Sequence, residues 1–175
     1  MSKVKVQSVE SAREQIVDML SSLGEDESPG FSKWALDKDS VELLHVSRSE
    51  DGKQGKIVVE MLVTERMSNQ LGNMHGGCQA TVLDNMTSMV IYLHTTGILG
   101  DPWSMLGVSQ SIQILYTQPA PVGQYIDIEC STISIGKSIA VIQCNMYTKD
   151  KKGGKRLRLT SSGTHTKVDN SASKL

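Results

Sequence analysis

The sequence has no excess of either charge: Lys and Arg number 18 against 19 Asp and Glu, a formal net charge of −1. Nothing global therefore attracts nucleic acid or an acidic membrane surface. There is no C-x-x-C pair. Cys78, Cys130 and Cys144 are odd in number and widely spaced, which excludes the usual zinc patterns and suits a reducing compartment. Cys130 and Cys144 fall where they would face each other on adjacent strands, but no structural disulfide is expected. The first fifteen residues lack the apolar stretch of a secretory leader, and Glu10, Glu14 and Asp18 do not suit a mitochondrial presequence. No membrane span is expected either, because Asp84, Asn85, Thr87 and Ser88 interrupt the longest apolar run. No repeat or change of composition divides the chain, so its 175 residues read as one domain with a core of its own.

Charge is scarcest where the sequence is most apolar. Between Met67 and Gly100 the only formal charge is Asp84. The stretch starts as a polar loop at Asn69, passes His75-Gly76-Gly77 and continues with helical spacing to about Thr95. A lone carboxylate on a nearly buried helix is costly unless something pairs or uses it. Gly76 and Gly77 stand where the helix begins, and free N–H groups at a helix start favour negative charge.

Around this helix the chain reads as α+β. Val9, Ala12, Ile16, Met19, Leu20 and Leu23 make an amphipathic helix over Ser8–Leu23, with Ser11-x-x-Glu14 as a capping box and Gly24 as a stop. A loop, Glu25–Gly30, and an apolar turn, Phe31–Leu36, follow. Strands are expected over Val41–Arg48 and Lys56–Val63, joined at Asp51-Gly52. Gly97, Gly100 and Pro102 end the long helix. Four strands then follow: Met105–Tyr116, Tyr125–Ile135, Ser138–Thr148 and Leu157–Lys167. Residues 1–40 read as a helix and lead-in segment, 41–168 as the main domain, and 169–175 as a flexible tail. That tail ends in Ser173-Lys174-Leu175, which a peroxisomal import receptor reads in a eukaryote, so the peroxisomal matrix is the expected location.

Several motifs in this order resemble the hotdog-fold acyl-CoA thioesterases of the small phenylacetate-pathway and thioesterase-superfamily-member type. They are Asn69-x5-His75-Gly-Gly-x6-Val82-Leu-Asp84, Gly107-Val-Ser109, Tyr116-x-x-Pro119, Gly136-Lys137-Ser138 and Gly163-x-His165-Thr-Lys. The resemblance implies a six-stranded antiparallel sheet wrapped around the central helix. It also implies subunits paired edge to edge into one continuous sheet, as a homodimer or homotetramer. The implied reaction is hydrolysis of an acyl-CoA to free acid and CoA, without metal or organic cofactor. Medium- or long-chain fatty acyl-CoA is the favoured substrate. An aryl- or naphthoyl-CoA thioesterase and a non-catalytic acyl-CoA-binding protein are the alternatives.

The same resemblance implies roles for individual residues. The Gly76 N–H polarises the thioester carbonyl, and Asp84 is the base or nucleophile. Asn69 helps hold water or the thioester oxygen, Ser109 supports the water and the carboxylate, and His75 orients the loop. Substrate contacts fall on Gly77, Ser111, Tyr116 and the run Ser134, Ile135, Gly136, Lys137, Ser138 and Ile139, with a Lys and turn N–H groups suited to phosphate. The basic stretch Lys149–Arg158 reads either as further charge for CoA or as a solvated hairpin tip. Eight residues of helix separate Gly76 from Asp84 by about 12 Å. One carbonyl cannot reach both, so each site is expected to take Gly76 from one subunit and Asp84 from its partner. The segment Leu93–Leu106 is longer than in compact relatives and is expected to shape the acyl tunnel or act as a lid.

Overall fold

The computed structural model describes residues 6–23, 35–36 and 38–171. The expected stop at Gly24, the expected loop over Glu25–Gly30, Phe31–Trp34 and the Ser173–Leu175 tripeptide lie outside these residues.

The described residues include two helices and six strands: α1 (Val9–Ser22), β1 (Val41–Arg48), β2 (Gly55–Leu62), α2 (Gly76–Val90), β3 (Val108–Tyr116), β4 (Tyr125–Ile135), β5 (Ile139–Lys149) and β6 (Arg156–Val168). The strands form one antiparallel sheet in the order β1-β2-β4-β5-β6-β3. The sheet and its central helix are the hotdog fold. A 3₁₀ turn at Ile91–Leu93 prolongs α2, so the helical stretch ends slightly before the expected Thr95. The strand expected from Met105 begins at Val108, because Trp103, Leu106 and Gly107 all take positive φ and break the extended path. Ser8, not Ser11, caps α1: its side chain accepts the Ser11 N–H. The capping box is displaced because Val9 and Glu10 are already helical.

The core lies between the helix and the concave face of the sheet. From α2 come Val82, Leu83, Met86, Met89 and Val90; from the strands come Ile57, Val59, Met61, Ile126, Ile128, Ala140, Ile142 and Met146. The chain has one Phe, so unbranched Met and β-branched side chains fill this space. Each such side chain contributes about 1.5–3 kcal/mol when fully buried. Cys130 and Cys144 do face each other across β4 and β5, buried and unbonded. Gly163 sets the spacing of helix and sheet: a Cβ there would stand 2.5 Å from Leu83 and 2.4 Å from the Gln113 carbonyl. At the β1 end, Ala12, Ile16 and Leu20 of α1 are buried in the same core. At the other end β3 pairs, among the described residues, only with β6, and its residues are exposed apart from a half-buried Ile114.

Candidate active site

The N-terminal end of α2 is built by its preceding loop. Asn69 Oδ1 accepts the N–H groups of Leu71 (2.9 Å) and Asn73 (3.3 Å), closing a tight turn. The His75 N–H donates to the Met67 carbonyl and the Met74 N–H to Ala120. His75 is the N-cap: its Nδ1 accepts the Gly77 N–H at 2.9 Å. That leaves the Gly76 N–H, the first amide of the helix, without a partner among the described residues. The Tyr116 hydroxyl donates to the Gly76 carbonyl at 2.8 Å, and a Cβ at Gly76 would stand 3.3 Å from that ring. Asn69, His75 and Gly76 line one open cavity of about 620 Å³ with Ser68, Gln70 and Leu71. So the structure brings together Asn69, His75, Gly76, Gly77 and Tyr116. Asn69 forms the turn through its oxygen, which leaves its amide Nδ2 without a partner among the described residues.

Asp84 sits two turns along the helix, its side chain 43% exposed. Its Oδ1 accepts a hydrogen bond from the Ser109 hydroxyl at 3.1 Å. A bulge makes this contact. Ile114 packs inward and the Tyr116 hydroxyl reaches the helix, so strict alternation would aim Gln110 inward and Ser109 away. The extra residue, Gln110, shifts the β3–β6 register between Ser109 and Ser111 and turns Ser109 toward Asp84.

Two residues that the sequence reading left out of the site complete its floor. His165 and Lys167 lie on β6, facing α2. His165 is fully buried; its Nδ1 meets the Thr87 hydroxyl at 2.6 Å, and its Nε2 lies 3.6 Å from Asp84 Oδ1 with no hydrogen-bond partner. Burial, with help from the Lys167 charge and against the pull of Asp84, pushes His165 down to about 4, so it is neutral at neutral pH. Lys167 donates to the Ser88 hydroxyl at 2.7 Å; burial lowers its pKa and Asp84 opposes the shift. The signal was present in the alternation of β6, where Ser161, Gly163, His165 and Lys167 are all buried. Polar side chains on a core-facing strand need a reason.

The Ser134–Ile139 segment is the β4–β5 turn and is exposed apart from Ile135. Ile139 pairs with Val168, which also pairs with Val108, so the turn lies at the Asp84–Ser109 end of the sheet. Tyr116 and Gly76 lie at the other end, where Tyr116 pairs with Ser161. Ser111 is exposed on β3 just beyond the bulge. The Lys149–Arg158 stretch is neither a solvated tip throughout nor a free basic patch. Lys149 is buried in an ion pair with Glu60 and another with Asp127 at 2.8 Å. Arg156 reaches Asp127 (2.8 Å) and Glu129 (2.9 Å), and Lys152 reaches Glu42 (3.0 Å). Carboxylates inside the chain have taken these cations because β5 and β6 lay them across the acidic outer face of β2 and β4. Among the described residues no cluster of His, Cys, Asp and Glu could hold a metal ion, and no helix is long and apolar enough to cross a membrane.

The family model of the thioesterase superfamily matches residues 71–155. Human acyl-coenzyme A thioesterase 13 is 34% identical over 113 residues, 65% of this chain and 72% of that one. Among solved structures, zebra fish thioesterase superfamily member 2 superposes with a TM-score of 0.67 at 28% identity, over 93% of this chain and 98% of that one. A hypothetical thioesterase from Streptococcus pneumoniae, solved with coenzyme A, shares the fold: TM-score 0.57, 21% identity, 75% of this chain and 86% of that one.

Proposed function

Since the chain belongs to the thioesterase superfamily, we propose that it hydrolyses acyl-CoA, preferring medium- or long-chain fatty acyl groups, in a site shared by two subunits. The observation that carries this reading is the division of the site along α2. Asp84, Ser109 and the Ser134–Ile139 turn stand at one end of the sheet; Gly76, His75, Asn69 and Tyr116 stand at the other. Among the described residues strand β3 has an unpaired edge beside both ends. Antiparallel pairing with the same strand of a second copy sets the Val108 end of one against the Tyr116 end of the other. Each Asp84 then meets the partner's helix N-terminus, and the sheet becomes continuous. Val108, Leu115 and Tyr116, exposed on this strand, are covered by such pairing.

In the assembled site the Gly76 N–H points at the thioester oxygen, strengthened by the partial positive charge of the helix N-terminus. Asp84, held by Ser109, takes a proton from water as the water oxygen bonds to the carbonyl carbon. The tetrahedral oxyanion rests on the Gly76 N–H. Its collapse breaks the C–S bond, releasing the fatty acid and the CoA thiolate, which takes up a proton. Asn69 Nδ2 reaches the thioester oxygen or the water, while His75 holds the loop through Gly77. Lys137 and the turn around it meet the CoA phosphates. A homodimer is the minimal active unit, and two dimers form a tetramer. In a eukaryote, Ser173-Lys174-Leu175 would direct the enzyme to the peroxisomal matrix, where a fusion truncated before Ser173 should no longer arrive.

The test is release of free CoA thiol from a panel of acyl-CoA thioesters of increasing chain length. The wild type should turn over fatty acyl-CoA, and Asp84→Asn should lose about 10³-fold in kcat. A wild type that hydrolyses none of the panel refutes the activity. An active Asp84→Asn refutes the site.

A further inference from the structure

The segment between α2 and β3 takes no part in the chemistry above, yet it is held under strain. Trp103 (φ 66°) and Leu106 (φ 57°) both take the left-handed conformation that non-glycine residues avoid. Something must hold them there. Trp103 is 3% exposed, and its backbone N–H donates to Asp169 Oδ1 at 3.1 Å. Its indole N–H donates to the Gly136 carbonyl at 2.9 Å. Asp169 in turn gives its own N–H to the Ser138 carbonyl at 3.0 Å. Gly107 makes room for the ring, since a Cβ there would come within 2.8 Å of it and within 2.7 Å of the Val168 carbonyl.

These bonds act on the β4–β5 turn from behind. The carbonyls of Gly136 and Ser138 are drawn back, one to the indole and one to Asp169. Lys137, between them, is exposed. Among the described residues its ammonium makes no ion pair, and the N–H groups of Lys137 and Ser138 have no partner. With those two carbonyls engaged, the turn keeps the Lys137 and Ser138 N–H groups and the exposed Lys137 ammonium to offer, which suits a phosphate. A phenyl ring would fill the same slot, but only an indole can also hold the Gly136 carbonyl.

The geometry points to Trp103 as the positioning residue of the CoA-phosphate turn: with Asp169 it fixes the Gly136-Lys137-Ser138 backbone with its donors outward. This rests on the assignment of that turn to CoA made above. Trp103 touches no reacting atom, so its influence is confined to the nucleotide end of the substrate.

Two substrates carrying the same acyl group separate that influence from a general effect on the fold: the CoA thioester and the N-acetylcysteamine thioester, which has no nucleotide. Trp103→Phe keeps the ring and removes the N–H. It should raise KM for acyl-CoA roughly fivefold, with kcat little changed, and leave kcat/KM for the N-acetylcysteamine thioester at the wild-type value. An equal loss on both substrates, or no loss on either, overturns the inference. If Trp103→Phe does not fold, Asp169→Ala, which removes the acceptor of the Trp103 N–H, is read the same way. Lys137→Ala tests the underlying assignment. If it leaves KM for acyl-CoA unchanged, the turn does not hold CoA and the role of Trp103 falls with it. If it raises KM while Trp103→Phe does not, the role of Trp103 falls alone.

Discussion

The protein carries two clusters of charge on opposite faces of one sheet, and they are built to opposite rules. On the outer face Lys149, Arg156 and Lys56 each have a carboxylate partner, and Glu60, Asp127 and Glu129 each have a cation. Burial pulls the Lys149 ammonium down, but Asp127 and Glu60 more than offset it and leave it above its ordinary value. On the inner face the groups are left incomplete. Among the described residues His165 Nε2 is buried without a hydrogen bond, and Asp84, its side chain 43% exposed, accepts a side-chain hydrogen bond from one serine. A network whose charges are all paired has little left to offer a ligand and serves the fold. An unsaturated one costs stability and keeps capacity for a substrate.

Breaking each cluster should therefore produce opposite phenotypes. Asp84→Asn, expected to cost about 10³-fold in kcat, should leave the melting temperature within about 2 °C, because no full ion pair is lost. Lys149→Met should do the reverse. It strands the buried Glu60 carboxylate without a cation and leaves Asp127 with Arg156 alone, a loss of about 3–5 kcal/mol, or roughly 10 °C in the thermal midpoint. Activity per folded molecule should survive, and a fall in kcat at full folding would erase the distinction. Ser109→Ala removes the single hydroxyl that holds Asp84 and should lower kcat about tenfold with little change in KM.

A smaller effect lies in pH. His165, and His94 beside Arg48, are both pushed down to about 4 by burial. Between about pH 6.5 and that value the unfolded chain binds protons that the folded chain refuses, so stability falls as pH drops through the window. The outer carboxylate Glu129 is held below its ordinary value; burial raises it, but the Lys56 and Arg156 partners outweigh that. Its contribution is lost only at lower pH. Melting curves should therefore decline in two stages, and the first should shrink in His165→Gln. A flat profile from pH 6.5 to 4 would contradict the buried neutral histidines.

Much of this was legible because it rests on period and punctuation. The alternation of Tyr125–Ile135 gave β4 its bounds, and Asp51-Gly52 gave the first hairpin, where Gly52 indeed takes φ 72°. Asp84 stood out as a charge without company. What stayed hidden depends on contacts made across the fold. Nothing local marks Lys149 as buried, since its partners come from β2 and β4. His165 gained its place only when β6 was laid against α2. The strain at Trp103 is likewise set by Asp169, distant in sequence. The direction of Ser109 could not be read from alternation, because the bulge reverses it.

That bulge makes the site depend on arithmetic. Gln110 touches nothing in the chemistry and is exposed, so most side chains should be acceptable there, provided that the residue stays out of the ladder. Taking it into the ladder would restore strict alternation and turn Ser109 away from Asp84 without altering any residue of the site. At this position inheritance must preserve a pairing register and not an identity, and a comparison scoring only substitutions would pass over the bulge on which the aim of Ser109 depends.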